Sequence, residues 1–211
     1  MEIIYSDNKL IVCVKPRGVL STDEPGGMPS LLREWLGDGE APIYAVHRLD
    51  APVGGLMVYA RTRHTAADLE REMQAGDFEK EYMAVVHGRL RDPSGTFTDL
   101  LERDVGKRMT RIVKEPGKNV KEASLSYVVL GEGHGLTLVG IRLHTGRTHQ
   151  IRCQFSGRGL PLWGDRKYGR PGDEGELALW SSALRFTHPA TGEDMSFALE
   201  PPAGLPWTYF L

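Results

Sequence analysis

The sequence of 211 residues has little cysteine and no long apolar run. Its two cysteines, Cys13 and Cys153, lie far apart among apolar residues, which predicts two reduced thiols rather than a disulfide framework. No apolar stretch approaches the roughly 20 residues that a membrane-spanning helix needs. The first residues also lack the basic segment of a secretory signal peptide. These absences predict a cytoplasmic protein.

Several motifs with well-defined chemistry are absent as well. The seven histidines form no His-x-x-x-His pair, and no Cys-x-x-Cys occurs, which argues against a zinc site. The chain has no glycine-rich loop of the nucleotide-binding types and no Gly-x-Ser-x-Gly turn of the serine hydrolases. The remaining candidates for catalytic or binding residues are single carboxylates, cations and aromatic rings.

The charge of the chain is unevenly distributed. The net charge of −2 argues against a nucleic-acid-binding protein, but residues 142–170 contain seven Lys and Arg side chains against one Asp. One interpretation is a cationic face for a polyanion. The other is a set of arginines scattered over solvated turns, and charge alone does not decide between them.

The pattern of apolar residues and turns predicts an α+β fold with a largely antiparallel sheet in a single domain, residues 1–211. One helix is expected over residues 30–37 with Ser30 as its N-cap. A clearer one is expected over residues 65–76, capped by Thr65 and Asp68. A further helix is expected over 148–155. Strands are predicted over residues 10–14, 55–60, 82–86, 123–130, 136–143, 178–186 and 195–199.

The stretch His47-Arg-Leu-Asp50 stands directly before a strand that is apolar on both faces. Pro52 and two glycines follow, which predicts a rigid loop that carries the carboxylate. A carboxylate at such an edge needs a cation or becomes protonated. In the alternative interpretation, Asp50 only caps a turn and pairs with Arg48.

A second stretch, Thr145-Gly-Arg-Thr-His-Gln-Ile-Arg152, combines a glycine turn with cations. Thr148 is expected to cap a helix whose first amides, with Arg147 and His149 beside them, form an anion-binding surface. Thr148 and Arg152 would then share one helix face. The alternative is a hairpin exit with solvated arginines, which suits Arg152 poorly because apolar residues flank it.

Two further stretches contain aromatic residues. Tyr82 opens an apolar strand, where an ordinary core tyrosine is the simplest interpretation. The turn-rich loop over residues 161–169 mixes Trp163 and Tyr168 with cations. Aromatic rings among cations stack on nucleobases in some proteins and complete the core in others, so both interpretations stay open.

Taken together, these stretches resemble the RluA-like family of RNA pseudouridine synthases. His47-Arg-Leu-Asp50 resembles the motif with the family's catalytic aspartate, and the stretch from Lys80-x-Tyr82 to Gly88 resembles its second motif. Thr145–Arg152, followed by residues 161–169, resembles the third motif. Lys15-Pro-x-Gly18 resembles the segment near the family's start. The four motifs follow the family's order, which makes the resemblance specific although each motif alone is weak.

The resemblance implies a mixed, mostly antiparallel bent sheet with flanking helices and a central basic cleft. It implies isomerisation of uridine in rRNA or tRNA without cofactor or metal, by a chemical path that the sequence leaves open. By position, Asp50 is the nucleophile, Arg152 its ion-pair partner, Tyr82 the residue beside the target base, and Arg48 an aid to nucleotide extrusion. The remaining candidates for substrate binding are His47, Arg147, Thr148, His149, Gln150 and Ile151.

The chain departs from the family's pattern at two places. Val53 and Gly54 replace a Thr-Ser pair, and Gln154 stands where a histidine is common. A non-catalytic RNA-binding protein is therefore kept as an alternative. A hydrolase using Asp50 and His47 is weaker, because nothing supplies an oxyanion hole. With no RNA-binding module recognisable before residue 10, a monomer that itself recognises a compact RNA stem-loop is expected.

Overall fold

A computed structural model describes all residues, 1–211, and confirms the predicted α+β class with mostly antiparallel strands. The contacts within the chain define two compact units. The first consists of Met1–Lys80 and Ser181–Glu200, and the second of Glu81–Trp180 and Pro201–Leu211. None of the three α-helices has the length and apolar character that a bilayer crossing requires.

The chain forms eleven strands, three α-helices and one short 3₁₀ helix at Trp207–Tyr209. The α-helices are α1 (Met28–Leu36), α2 (Arg63–Ala75) and α3 (Gln150–Ser156). The strands are β1 (Glu2–Ser6), β2 (Leu10–Lys15), β3 (Tyr44–Ala45), β4 (Gly54–Ala60), β5 (Glu79–His87), β6 (Ser94–Asp104), β7 (Met109–Val113), β8 (Val120–Gly133), β9 (Leu136–Leu143), β10 (Leu179–Thr187) and β11 (Asp194–Ala198).

The first unit is built around β4, which lies between β2 and β10 and is buried along its whole length. This agrees with the strand predicted over 55–60 from its apolar residues on both faces. Gly55 has φ = 116°, and a Cβ there would lie 2.3 Å from the carbonyl oxygen of Ser181. Only glycine fits this position, because both the backbone angle and the close approach exclude a side chain.

The long helix of the first unit, α2, covers β4 with its apolar face. Leu69 is fully buried in the core, and Met73, one turn later, packs against the same cluster. The predicted cap at Thr65 and Asp68 is wrong, because the helix begins one turn earlier. The hydroxyl of Thr62 is the actual cap and accepts a hydrogen bond from the Thr65 N–H at 3.1 Å. The predicted end at Gly76 is confirmed by its left-handed conformation.

Helix α1 also begins earlier than predicted. Its first residue is Met28 and its N-cap is Gly27, so Ser30 lies inside the helix and does not cap it. Pro29 explains the shift, because its fixed φ suits the first helical turn and its missing N–H needs no partner there. The predicted end at Gly37 is confirmed, with φ = 68°.

The second unit is an antiparallel sheet in the order β5-β9-β8-β6-β7. The hairpin predicted over 123–130 and 136–143 is confirmed as β8 and β9. A second hairpin, β6 and β7, was not predicted. Its residues mix charged and apolar side chains without clean alternation, and they form strands because β6 pairs with β8 on one side and with β7 on the other. Helix α3 packs on one face of this sheet through Cys153, which joins Leu101 and Ala123 in a small core.

Candidate active site

The loop that carries Asp50 alternates between buried and accessible side chains. His47 and Leu49 are buried, Arg48 is exposed, and Asp50 is half-buried. The Val53 N–H donates to the carbonyl of Asp50 at 2.9 Å, which closes a turn directly after the carboxylate. The loop therefore presents a guanidinium and a carboxylate while its other side chains anchor it in the core.

The backbone on both sides of Asp50 is held by residues 15–21. The Ser21 hydroxyl donates to the Leu49 carbonyl at 2.8 Å and accepts from the Leu49 N–H at 3.1 Å. On the other side, the carbonyl of Ala51 accepts from the Gly18 N–H at 2.7 Å and from the Lys15 Nζ at 3.1 Å. Fixing both neighbours restricts the position of the carboxylate, as a catalytic group requires.

Lys15 is a fully buried cation beside this carboxylate. Its Nζ donates to the carbonyls of Pro16, Val19 and Ala51, at 2.9, 2.6 and 3.1 Å. Burial lowers the pKa of Lys15 to about 8, and the negative charge of Asp50 acts in the opposite direction. A protonated Lys15 thus places positive charge close to Asp50. Sequence reasoning gave neither Lys15 nor Ser21 a role at the site.

Replacing Ser21 with alanine is expected to lower kcat by about 10-fold or more with little change in KM, because it frees one side of the Asp50 loop. The buried Leu49 N–H also loses its partner, which costs about 1–3 kcal/mol of folding free energy. Steady-state kinetics and urea unfolding measure the two effects. The control is Ser94→Ala, at an exposed position, and an unchanged kcat in Ser21→Ala would contradict the role of this contact.

His47 is buried under the loop as a neutral ring. Its Nε2 accepts from the Val58 N–H at 3.3 Å, and its Nδ1 is buried with no hydrogen-bond partner. Burial lowers the pKa of His47 to about 3, and the charge of Lys80 lowers it further. The ring therefore anchors the loop to β4 in its uncharged form.

The pKa of His47 makes folding sensitive to acid. Between pH 6.5 and about 3, the unfolded chain binds a proton that the folded chain does not, so the free energy of unfolding falls as the pH falls. We expect His47 to account for a loss of about 2 kcal/mol between pH 7 and pH 5. Urea unfolding of His47→Gln should lack this loss, whereas His64→Gln, at an exposed ring, should keep it. Equal pH profiles for His47→Gln and the wild type would refute the assignment.

In the second unit, Arg152 and Asp165 form a buried ion pair. The guanidinium donates through Nε and Nη2 to the two carboxylate oxygens, both at 2.8 Å, with side chains 4% and 0% exposed. Burial acts to raise the pKa of Asp165. The hydrogen bond and charge of Arg152, with the N–H groups of Lys167 and Tyr168, outweigh this and hold the pKa below its ordinary value. The predicted pairing of Arg152 with Asp50 stays a prediction.

The loop before α3 is fastened to the sheet by Gln150. Its Oε1 accepts from the Thr145 hydroxyl at 2.7 Å and the Arg147 N–H at 3.0 Å, while its Nε2 donates to the Ser124 carbonyl at 3.0 Å. The Nε of Arg147 donates to the Glu122 carbonyl at 2.9 Å. These contacts hold an exposed arginine in a fixed place, where it is accessible to a ligand.

Helix α3 begins two residues later than predicted. His149 adopts φ = 53° and precedes the helix, so Thr148 lies outside it and does not cap it. The expected shared face of Thr148 and Arg152 is therefore wrong. The Thr148 carbonyl accepts from the Thr110 hydroxyl at 2.9 Å, and the His149 Nδ1 lies 2.8 Å from the Tyr168 hydroxyl. Tertiary contacts rather than a helix cap set this loop.

Tyr82 and Ile151, two more predicted site residues, are both buried. Tyr82 lies on β5 opposite Ile141 of β9, and Ile151 lies in the first turn of α3. Apolar burial of both suits the wall of a closed pocket for a base, and it suits core packing equally. No three His, Cys, Asp or Glu side chains in the chain are close enough to hold a metal ion.

Both departures from the family's pattern are accommodated by burial. Val53 is packed in the core, so an apolar side chain takes the place of a hydroxyl that would need a partner. Gln154 is fully buried and its Nε2 donates to the Asp99 carboxylate at 2.7 Å, which also binds Arg158.

Comparisons with known proteins agree with one another. Residues 9–157 match the family described as RNA pseudouridylate synthase. The chain is 34% identical over 208 residues to the uncharacterized RNA pseudouridine synthase YlyB of Bacillus subtilis, covering 93% of this chain and 68% of that protein. It is 34% identical over 218 residues to ribosomal large subunit pseudouridine synthase D of Vibrio parahaemolyticus, covering 93% and 66%. The solved structure of human RNA pseudouridylate synthase domain containing 1 has the same fold, with a TM-score of 0.80 at 23% identity, covering 95% of this chain and 83% of that chain.

Proposed function

Because this chain belongs to the RNA pseudouridylate synthase family, and is thus an isomerase acting on RNA, we propose that Asp50 is its nucleophile and that its target is a uridine of rRNA or tRNA. The observation that carries the proposal is the Asp50 loop, whose backbone is held on both sides by Ser21 and Lys15. A nucleophile needs such a fixed position and a cation nearby that keeps it ionised.

The reaction breaks the bond between N1 of uracil and C1′ of ribose. The base then turns and forms a bond from its C5 to the same C1′, the hydrogen at C5 is released as a proton, and N1 takes up a proton in place of its lost bond. Asp50 is proposed to act as the nucleophile while the N1–C1′ bond is replaced by the C5–C1′ bond. The site must hold the detached base until the new bond has formed. Tyr82 and Ile151, both buried, are proposed to form the apolar wall against which the base rests.

The other polar residues of the candidate site are proposed to bind the RNA or to hold the site in place. Arg152 pairs with Asp50 while its position is fixed by Asp165. The exposed Arg48 aids extrusion of the uridine, because a base must leave its stack before its glycosidic bond is accessible. Arg147, Thr148 and His149 contact the RNA strand, and the buried His47 and Gln150 act by fixing their loops. The two buried, free cysteines suit a reducing cytoplasm.

Tritium release from RNA labelled at uridine C5 tests the function. The wild-type protein is incubated with total rRNA and, separately, with bulk tRNA, each prepared without its natural modifications. Release from one pool establishes the reaction and identifies the class of substrate. Binding of both pools without release from either would instead favour the alternative of a non-catalytic RNA-binding protein.

A further inference from the structure

A basic pocket lies on the face of the second unit beside the loop before α3. It has a volume of about 320 Å³, and its lining includes Arg103, Lys118, Lys121 and Arg147 but no acidic residue. All four cations are exposed, and none of them forms an ion pair within the chain. Like charges gathered without acidic partners repel one another, so the pocket is best satisfied by an anion.

The fold brings these cations together from four segments, one of which is the loop before α3 with Arg147. Leu101 and Arg103 point to one face of β6, where Lys121 of β8 lies opposite Leu101 and Thr110 of β7 lies opposite Arg103. Lys118 comes from the turn between β7 and β8. Residues 103–121 contain seven Lys and Arg side chains and two acidic ones, so the pocket lies within a second cationic segment that sequence reasoning did not single out.

The rim of the pocket is the loop that precedes Arg152. Gly146, Arg147 and Thr148 line it, and the hydrogen bonds from Arg147 Nε to the Glu122 carbonyl and from the Thr110 hydroxyl to the Thr148 carbonyl hold that rim against the sheet. Of the acids nearest in sequence, Glu115 and Glu122 are exposed and do not line the pocket, and Glu102 and Asp104 are engaged elsewhere. Glu102 pairs with Arg111, and the Asp104 carboxylate accepts the Lys107 N–H. The pocket therefore keeps its positive charge.

We propose that this pocket binds the phosphodiester backbone of the substrate RNA rather than the uridine that reacts. The inference rests on the proposed function and adds Arg103, Lys118 and Lys121 to the residues that contact RNA. The lining contains no aromatic residue on which a base could stack. Its apolar members, Leu101 and Val105, offer no hydrogen bonds to base edges, whereas the cations and Asn119 suit phosphate oxygens. The pocket thus contributes to the affinity for RNA and to the position of the RNA strand on the protein, but not to the selection of a base sequence.

The double variant Lys118→Gln/Lys121→Gln tests the proposal. Radiolabelled rRNA fragments and bulk tRNA are bound to the wild type and the variant at several salt concentrations. We expect about 10-fold weaker binding near 100 mM salt, with the slope of log affinity against log salt reduced by about 2, one for each lost phosphate contact. Tritium release at saturating RNA should keep its kcat while KM rises.

The matched control removes the same charge elsewhere. Arg63 and Arg91 are exposed and lie outside both the pocket and the candidate active site, so Arg63→Gln/Arg91→Gln should bind RNA within about 2-fold of the wild type. Equal losses in the two double variants would show a general charge effect and overturn the pocket. An unchanged RNA affinity of the double variant Lys118→Gln/Lys121→Gln would also overturn the pocket assignment.

Two further results show whether the pocket assignment or the proposed function is wrong. Inorganic phosphate, titrated by calorimetry at constant ionic strength, should not bind in the millimolar range. Saturable phosphate binding that the double variant abolishes would assign the pocket to a small phosphate compound and overturn the RNA assignment. If the wild type releases no tritium but the double variant still loses RNA affinity and slope, the pocket stands and the proposed function fails.

Discussion

Replacing Asp50 with asparagine is expected to lower tritium release by about 10⁴-fold or more, the order of loss found when an enzyme's nucleophile is removed. Asparagine is nearly the same size, and the hydrogen bonds from Ser21 and Lys15 end on the backbone of Leu49 and Ala51, which the substitution leaves unchanged. The variant should therefore fold and bind RNA almost as well as the wild type. The measurement compares single-turnover release with binding of the same RNA.

The control is Asp38→Asn, which removes the same charge at an exposed position after α1. It should keep the wild-type rate. Because asparagine can revert by deamidation, Asp50→Ala is measured alongside and should show the same loss. Release by Asp50→Asn and Asp50→Ala at near wild-type rates would remove Asp50 from the role of nucleophile, even if the chain isomerises uridine.

The second large effect is expected at Asp165. Asp165→Asn keeps the shape of the side chain but removes the charge that faces the buried guanidinium of Arg152, so we expect a loss of about 3–5 kcal/mol in folding free energy. Asp68→Asn is the matched control, because its partner Arg71 is 70% exposed. An exposed pair contributes less than about 1 kcal/mol. Urea unfolding at pH 7 measures both.

The double variant Arg152→Met/Asp165→Leu separates stability from catalysis. An apolar pair fills the same space without buried charge, so it should recover part of the stability that Asp165→Asn loses. It should remain inactive, because the proposed cation beside the nucleophile is gone. The wild-type pair should also stabilise the fold at neutral pH and lose this contribution as the pH falls through the lowered pKa of Asp165. A loss below 1 kcal/mol in Asp165→Asn would contradict the importance of the pair.

The strands and helix ends that were predicted correctly are those whose structure depends on a short stretch of sequence alone. The short apolar run 55–60, which begins at a glycine, predicted a buried strand, and Gly37 and Gly76 end their helices because glycine tolerates left-handed backbone. The helix starts were wrong because several residues can serve as caps. Pro29 and Thr62 favoured earlier starts than Ser30 and Thr65.

Sequence motifs led to a prediction of the reactive residues of the candidate site, but they did not indicate which residues hold the Asp50 loop and Arg152 in place. A lysine before Pro-x-Gly resembles an ordinary exposed cation. Lys15 is buried because the chain returns to place the carbonyls of Val19 and Ala51 around its Nζ, and no local pattern reveals that return. Asp165 was part of a recognised motif, yet its pairing with Arg152 depends on a loop that folds back onto α3.

The hydrogen bonds from Ser21 and Lys15 end on main-chain atoms of Leu49 and Ala51, and this has a consequence for how the loop can diverge. Main-chain atoms are the same whatever the side chain, so evolution can exchange side chains along this loop without shifting the carboxylate. The Val53-Gly54 pair is one such exchange. Directed evolution could therefore vary the exposed side chains of this loop, such as Arg48, while the carboxylate of the proposed nucleophile keeps its position.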